Sequence, residues 1–176
     1  MRFCSIRSVL FLLLLIPASA SAWDVDVYGG MSSGFSVREQ KDPANDHVDG
    51  GEKIYFGTRF LGPIGLEFTY YNLGKFENET TEVRAMGAAM LFNFDVRGMT
   101  VFAKGGIVGW EERYLLTSTK EKGQDVMFGL GINLAVDKHV LFRTEIERFR
   151  KVGKDDNTGA AGTEMTLLSF GVNFRF

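Results

Sequence analysis

The feature that most constrains this chain is an alternation of period two, in which bulky apolar residues take every second position and glycine or polar residues take the others. It is clearest at residues 124–136 and in the last strand-length segment, where Phe170, Val172 and Phe174 alternate with Gly171 and Asn173. A β-strand places successive side chains on opposite faces, whereas a helix repeats every 3.6 residues. The pattern therefore predicts strands with one bulky apolar face and one face of small or polar residues.

The alternation predicts eight strands, at residues 23–37, 52–61, 65–73, 82–94, 100–114, 124–136, 140–150 and 165–176. For residues 83–94 it leaves open which face points outward. Long polar connections at 38–51, 74–81, 115–123 and 153–164 alternate with short ones at 62–64, 95–99 and 137–139. Short turns at one end and longer loops at the other are typical of bacterial outer-membrane barrels, whose strands need about 9 to 11 residues to cross the hydrocarbon layer.

Residues 1–22 are predicted to be a cleaved signal peptide, which leaves 23–176 as a single barrel domain. Arg2 and Arg7 form a positively charged region before an apolar run at 9–16, and small residues at 20–22 offer a cleavage site. Cys4, the one cysteine of the chain, precedes the apolar run, so it does not have the position of a lipid-bearing cysteine. The formal net charge of −2 excludes a strongly basic nucleic-acid binder.

A secreted soluble barrel of the lipocalin type is the competing interpretation of the same alternation. It would place the bulky face inside and would expose Gly129, Gly131 and Gly171 to water. An eight-stranded barrel has an interior only just wide enough for side chains. The sequence therefore favours the opposite arrangement, an all-β, eight-stranded antiparallel up-and-down transmembrane β-barrel with the apolar face in contact with lipid.

Charged residues inside the strands are expected to avoid the lipid face, where Arg or Lys at mid-bilayer costs about 2 to 4 kcal/mol. The residues predicted to point into the lumen and pair there are Glu67, Lys104, Arg143, Glu145 and Glu147. A lumen plugged by such polar and charged side chains is the favoured function, and a narrow gated pore is the alternative.

An outer-membrane enzyme that modifies lipid is a third hypothesis, and the sequence gives it little support. Such an enzyme needs a nucleophile and a base, usually a histidine within reach of Ser or Asp. His139 falls in a short turn without a neighbouring serine, and His47 falls in a long loop. The acidic stretch around Asp46 and Asp49 lacks the ligand spacing of an EF-hand. We therefore predict no catalytic residue, no metal ligand and no cofactor.

The last strand and three others resemble the OmpA-like family of small outer-membrane β-barrels. Ser169, Gly171, Phe174 and Phe176 fit the pattern of that family's closing strand, the β-signal that the barrel-assembly machinery recognises. Residues 65–68, 102–106 and 142–145 resemble the third, fifth and seventh strands of the family.

The resemblance implies a place in the bacterial outer membrane, in contact with membrane lipid and lipopolysaccharide. It places Glu67, Lys104, Arg143 and Glu145 in an interior ion-pair network, in which Met90 and Asn133 take positions that hold a lysine and a glutamate in the family's best-known member. It also implies roles in envelope integrity and in surface interaction, with a surface ligand bound through the loops 38–51, 74–81, 115–123 and 153–164.

Overall fold

The computed structural model describes residues 25–39, 47–60, 62–76, 81–116, 119–152 and 163–176. The predicted signal peptide and Trp23, with which the predicted barrel begins, lie outside the described residues. The side chain of His47 lies outside them as well. Among the described segments there is no helix of the length and apolar character needed to cross a membrane.

Eight antiparallel strands close into a barrel in which each strand pairs with its sequence neighbours and the last pairs with the first. This confirms the predicted strand number, topology and fold class. The strands are β1 Asp26–Glu39, β2 His47–Phe60, β3 Ile64–Phe76, β4 Thr81–Val96, β5 Met99–Tyr114, β6 Lys120–Ala135, β7 Val140–Val152 and β8 Thr163–Arg175.

Short turns join the strands at one end of the barrel, which we call the turn end; the opposite end is the loop end. The tightest turn is Arg97–Gly98 between β4 and β5, where both residues have positive φ, of 45° and 84°. Two such residues between paired strands are typical of a type I′ turn, whose twist matches that of the flanking strands. The connection therefore needs no additional residues.

The bulky apolar residues face outward and form a belt around the barrel. Their exposed fractions are high for apolar side chains, for example 62% for Phe68 and 66% for Ile107. The belt also contains residues of the remaining strands, including Phe35, Ile54, Phe92, Leu130, Ile146 and Phe170. Because every one of these side chains would otherwise face water, the belt is the surface that lipid covers.

The face of residues 83–94 that the sequence left open is settled by the register of β4. Val83, Ala85, Ala89 and Leu91 are buried inside the barrel, whereas Met90 is 45% exposed on the outer face. The expectation that Met90 takes a position in the interior network was therefore wrong. The period of two in β4 fixes this outcome once its paired neighbours in β3 and β5 are oriented.

The strands extend further toward the loop end than the sequence predicted. β2 begins at His47, where residue 52 was expected, and β6 begins at Lys120, where residue 124 was expected. The predicted loops 38–51, 74–81, 115–123 and 153–164 therefore shrink to connections at 40–46, 77–80, 115–119 and 153–162. The backbone ladder continues here because each additional residue finds a partner, as Val37 does in Val48.

Polarity inverts along the barrel axis, which explains these extensions. At the loop end the interior holds an apolar cluster of Tyr71, Leu73, Phe76, Val83, Ala85, Ala89, Val108, Trp110, Met127, Phe149, Val152, Met165 and Leu167. The outward positions of the same strand ends carry charges, among them Glu52, Arg84 and Lys122. This part of the barrel has the apolar interior and polar surface of a water-soluble protein, so it lies beyond the hydrocarbon layer. The polar plug expected from the sequence thus fills only part of the lumen.

Candidate functional site in the barrel interior

Six charged side chains from four strands meet in the middle of the lumen. They are Lys53 of β2, Glu67 of β3, Lys104 of β5, and Arg143, Glu145 and Glu147 of β7. Each side chain is at most 1% exposed. We call this group the lumen charge cluster.

Lys104 is the centre of the cluster because its ammonium group contacts all three carboxylates. Its Nζ lies 3.1 Å from Glu67 Oε1, 2.5 Å from Glu145 Oε1 and 2.6 Å from Glu147 Oε1. An ammonium group is a compact positive charge, so Lys104 attracts all three carboxylates at once.

Arg143 connects the cluster to two aromatic rings, those of Tyr55 and Phe102, on the side nearer the turn end. Its guanidinium donates to Glu67 at 2.7 Å and to Glu145 at 2.9 Å. The same guanidinium lies 4.3 Å from the ring centroid of Tyr55 and 4.4 Å from that of Phe102. A guanidinium can donate in its plane and stack on rings through its faces, which fixes Arg143 in several directions at once.

Lys53 and two tyrosines add further hydrogen bonds to the carboxylates. Lys53 Nζ donates to Glu145 Oε2 at 2.6 Å and also to Glu147. The Tyr71 hydroxyl donates to Glu147 at 2.7 Å, and the Tyr28 hydroxyl donates to Glu67 at 3.1 Å.

The cluster is electrically neutral, because three cations face three carboxylates. Buried charges are tolerated only when they are paired and hydrogen-bonded, and removing one partner of a buried pair costs about 3 to 5 kcal/mol. The cluster is therefore favourable only while it is neutral. A substitution that removes a charge of one sign without removing one of the other should destabilise the barrel.

Local sequence explains why these side chains meet. Arg143, Glu145 and Glu147 are spaced by two along β7, so all three point inward. The neighbouring strand β6 provides room with glycines. A Cβ at Gly131 would lie 2.3 Å from the Phe102 ring, and one at Gly129 would lie 3.1 Å from the Lys104 side chain. The alternating glycines of β6 are thus the counterpart of the bulky interior side chains of β5 and β7.

All five residues predicted for the lumen lie in the cluster, and sequence analysis missed the sixth, Lys53. A signal for it was present, since Lys53 and Tyr55 share the polar face of β2, opposite Ile54 and Phe56. Asn133 faces the interior and is 8% exposed.

A second buried pair at the loop end was also missed. Arg38 Nη1 of β1 lies 2.8 Å from Glu112 Oε1 of β5, and the Arg38 guanidinium sits 5.9 Å from the Phe76 ring centroid. Both residues were assigned to strand ends or loops whose facing was not predicted. Only the pairing of the extended strands places them across the lumen from each other.

Of the residues predicted to form the β-signal, Ser169, Gly171 and Phe174 lie on β8, which pairs with β1, and Phe176 directly follows it. Ser169 is buried and faces inward, whereas Phe174 and Phe176 are 44% and 80% exposed at the turn end. Gly171 lies at the closing seam, where a Cβ would come within 2.1 Å of the Met31 carbonyl oxygen.

Of the two histidines, only His139 has a side chain within the described residues. His139 lies in an exposed turn, with its Nδ1 3.1 Å from the Arg175 carbonyl oxygen. Within the described ranges, no group of three or more His, Cys, Asp or Glu side chains could hold a metal ion.

The sequence of the chain matches a family model described as the outer membrane protein beta-barrel domain over residues 8–176. The chain belongs to this family. The protein is therefore an integral β-barrel of the bacterial outer membrane, and the resemblance noted from its sequence is confirmed.

Solved structures of other outer-membrane barrels share the fold at low sequence identity. Neisserial surface protein A aligns with a TM-score of 0.68 at 15% identity, covering 85% of this chain and 97% of that one. The N-terminal barrel of Pseudomonas aeruginosa OprF aligns with a TM-score of 0.57 at 12% identity, covering 86% and 96%. Ail, the attachment invasion locus protein of Yersinia pestis, aligns with a TM-score of 0.57 at 11% identity, covering 86% and 98%. No curated protein matches the chain.

Proposed function

We propose that this outer membrane barrel is closed and non-conducting, and that it supports the envelope while presenting its loop end to the cell exterior. The observation that carries the proposal is the filling of the lumen. The neutral lumen charge cluster occupies the middle of the barrel, and the apolar cluster occupies the interior between it and the loop end.

The contacts within the cluster favour a plug over a gate. A gate based on exchanging ion pairs needs a free carboxylate or cation to receive the moving charge. Here Lys104 already contacts Glu67, Glu145 and Glu147, and Arg143 is stacked between two rings. Ions would also have to cross the apolar cluster, where burial of an unpaired charge is costly.

The proposal is tested by conductance in planar lipid bilayers. The purified protein is expected to give no steady current above that of membranes treated with detergent alone. Insertion is verified separately by the heat-dependent change in gel mobility of the same protein reconstituted into lipid vesicles. Regular porin-sized current steps from verified barrels would contradict a closed lumen.

A surface role is supported by the charged outer faces of the strand ends and by the longer connections at the loop end. We propose that the loop end faces outward and that the connections 40–46, 77–80, 115–119 and 153–162 contact surface ligands. Ail has been solved in complex with the heparin analogue sucrose octasulfate, so a barrel of this fold can bind an anionic ligand. We assign no catalytic step to the protein, and we propose that Ser169, Gly171, Phe174 and Phe176 serve the assembly machinery.

A further inference from the structure

A trench runs along the outer surface of β3 to β6, from the apolar belt to the loop end. The part nearer the loop end, which we call the upper part, has a volume of about 570 Å³ and is lined in part by Tyr70, Arg84 and Lys122. Its lower part, of about 270 Å³, reaches Phe68 and Ile107. Both parts share Met86, Gly109 and Gln124, so they form one continuous depression, which we call the β3–β6 trench.

The lower part of the trench lies within the apolar belt and has a floor of small residues. Ala88 and Gly109 point outward there, between the larger side chains of Met86 and Ile107. A depression at this depth is filled by hydrocarbon, because water has no access to the belt. Its mainly apolar lining suits an acyl chain lying against the barrel wall.

The upper part carries exposed cations directly above the belt. The Arg84 side chain is 52% exposed and the Lys122 side chain is 69% exposed. Two carboxylates accompany them: Glu82 contacts Arg84 at 2.7 Å, and Glu111 contacts Lys122 at 2.9 Å and Lys120 at 3.0 Å. The cations at this site therefore outnumber the carboxylates.

The excess positive charge belongs to one side of the barrel. The outward-facing cations at the loop end of β4 to β7 are Arg84, Arg113, Lys120, Lys122, Arg148, Arg150 and Lys151, and the carboxylates among them are Glu82 and Glu111. On β8 and β1 to β3 the corresponding charges are Glu164, Glu39, Glu52 and Lys75. An anion at the level of the lipid headgroups is therefore attracted to the trench side.

We propose that the β3–β6 trench is a binding site for lipopolysaccharide, with an acyl chain in the lower part and a lipid phosphate at Arg84 and Lys122. Phosphate is matched by guanidinium and ammonium donors, and the adjoining apolar floor is matched by a lipid chain. A soluble polyanion would use the charges but not the floor. A second copy of the barrel would offer the trench an acidic side of low charge, since two of its carboxylates, Glu39 and Glu164, pair with Arg148.

The phosphate half of the proposal is tested with protein taken from outer membranes, freed of lipid by washing in zwitterionic detergent, and titrated with lipopolysaccharide by calorimetry. The double variant Arg84→Gln with Lys122→Gln is expected to bind about tenfold more weakly, since two charge-assisted contacts are lost. The matched control, Arg97→Gln with Lys138→Gln, removes the same charge at the turn end and should bind like the original protein. Dephosphorylated lipopolysaccharide should bind the original protein as weakly as intact lipopolysaccharide binds the double variant.

The acyl half is tested by filling the trench without touching its charges. A Cβ at Gly109 meets no atom closer than 4.0 Å, so Gly109→Leu should fold and should show the normal heat-dependent gel mobility. It is expected to weaken lipopolysaccharide binding as strongly as the charge variant does.

Three results would overturn the assignment. The first is equal affinity for intact and dephosphorylated lipopolysaccharide. The second is heparin binding as tight as that of lipopolysaccharide and unaffected by Gly109→Leu, which would indicate a polyanion site. The third is self-association of the original protein, seen by sedimentation and lost in the charge variant, which would indicate a second copy as the occupant.

Discussion

Individual residues of the lumen charge cluster share their partners, so no ion pair in it is independent. Glu145 contacts Lys53, Lys104 and Arg143, and Lys104 contacts all three carboxylates. Substitutions within one such network are coupled and do not add. Charge balance should therefore predict stability better than the number of contacts removed.

We expect Lys53→Met to lower the free energy of unfolding by about 3 kcal/mol, because it leaves an uncompensated buried carboxylate. Adding Glu147→Gln restores neutrality and should recover part of that loss. The measurement is urea unfolding in detergent micelles, followed by tryptophan fluorescence. Lys138→Met, at an exposed turn residue, is the control and should change stability by no more than about 0.5 kcal/mol. A double variant less stable than Lys53→Met alone would show that charge balance does not govern the cluster.

Sequence could identify the cluster residues on β3, β5 and β7 because a charge in a transmembrane strand has only one acceptable side. It could not identify which charges meet. Lys53 reaches Glu145 and Glu147 across the lumen. Which side chains face each other across a barrel depends on strand tilt and register, and the alternation of period two determines neither. Arg38 and Glu112 were missed because the sequence did not predict which way the strand ends that hold them face.

Among the structural elements, the seam between β1 and β8 contains several glycines at which there is no room for a Cβ. A Cβ at Gly34 would lie 1.9 Å from the Leu168 carbonyl oxygen, and one at Gly30 would lie 2.4 Å from the Val172 carbonyl oxygen. Gly171 has the same restriction from the β8 side. The seam that closes the barrel therefore requires residues without a side chain.

Gly34→Ala is expected to reduce the fraction of protein that reaches the compact barrel, since the added methyl group must push β1 away from β8. Gly50→Ala is the matched control, because no atom lies within 4 Å of the Cβ it introduces. Both variants are refolded into detergent and compared as the compact fraction on unheated gels. Equal compact fractions for Gly34→Ala and Gly50→Ala would contradict the tight seam.

The central part of every strand could be predicted from the sequence, and the loop-end boundaries could not. The lipid-facing alternation marks a strand only where the outside is apolar. Beyond the belt the outward residues become charged, as at Arg84 and Lys122, while the inward ones become apolar, as at Val83 and Trp110. The side chains still alternate with a period of two, but the polar residues now face outward and the apolar ones inward. In the sequence, the extensions of β2 and β6 therefore had the composition of polar loops.

For the whole molecule, the orientation proposed here places the loop end outside the cell and the turns in the periplasm. Single cysteines can test it, because the one native cysteine, Cys4, lies in the predicted signal peptide. Leu116→Cys, at an 83% exposed loop-end position, should react with a membrane-impermeant maleimide on intact cells. Lys138→Cys, at an exposed turn, should react only after the outer membrane is permeabilised. Labelling of the turn residue on intact cells would reverse the proposed orientation.

The reversal of polarity along the barrel also limits the membrane thickness that the protein matches. On β4 the outward apolar residues run from Val96 to Met86, before Arg84. That stretch covers about 33 Å along the strand, or roughly 25 Å along the bilayer normal at a tilt of about 40°. Because hydrophobic mismatch costs a fraction of a kcal/mol per Å, a thicker bilayer must thin around the protein. The barrel is thus suited to a membrane with a thin hydrocarbon core, and it should locally compress one that is thicker.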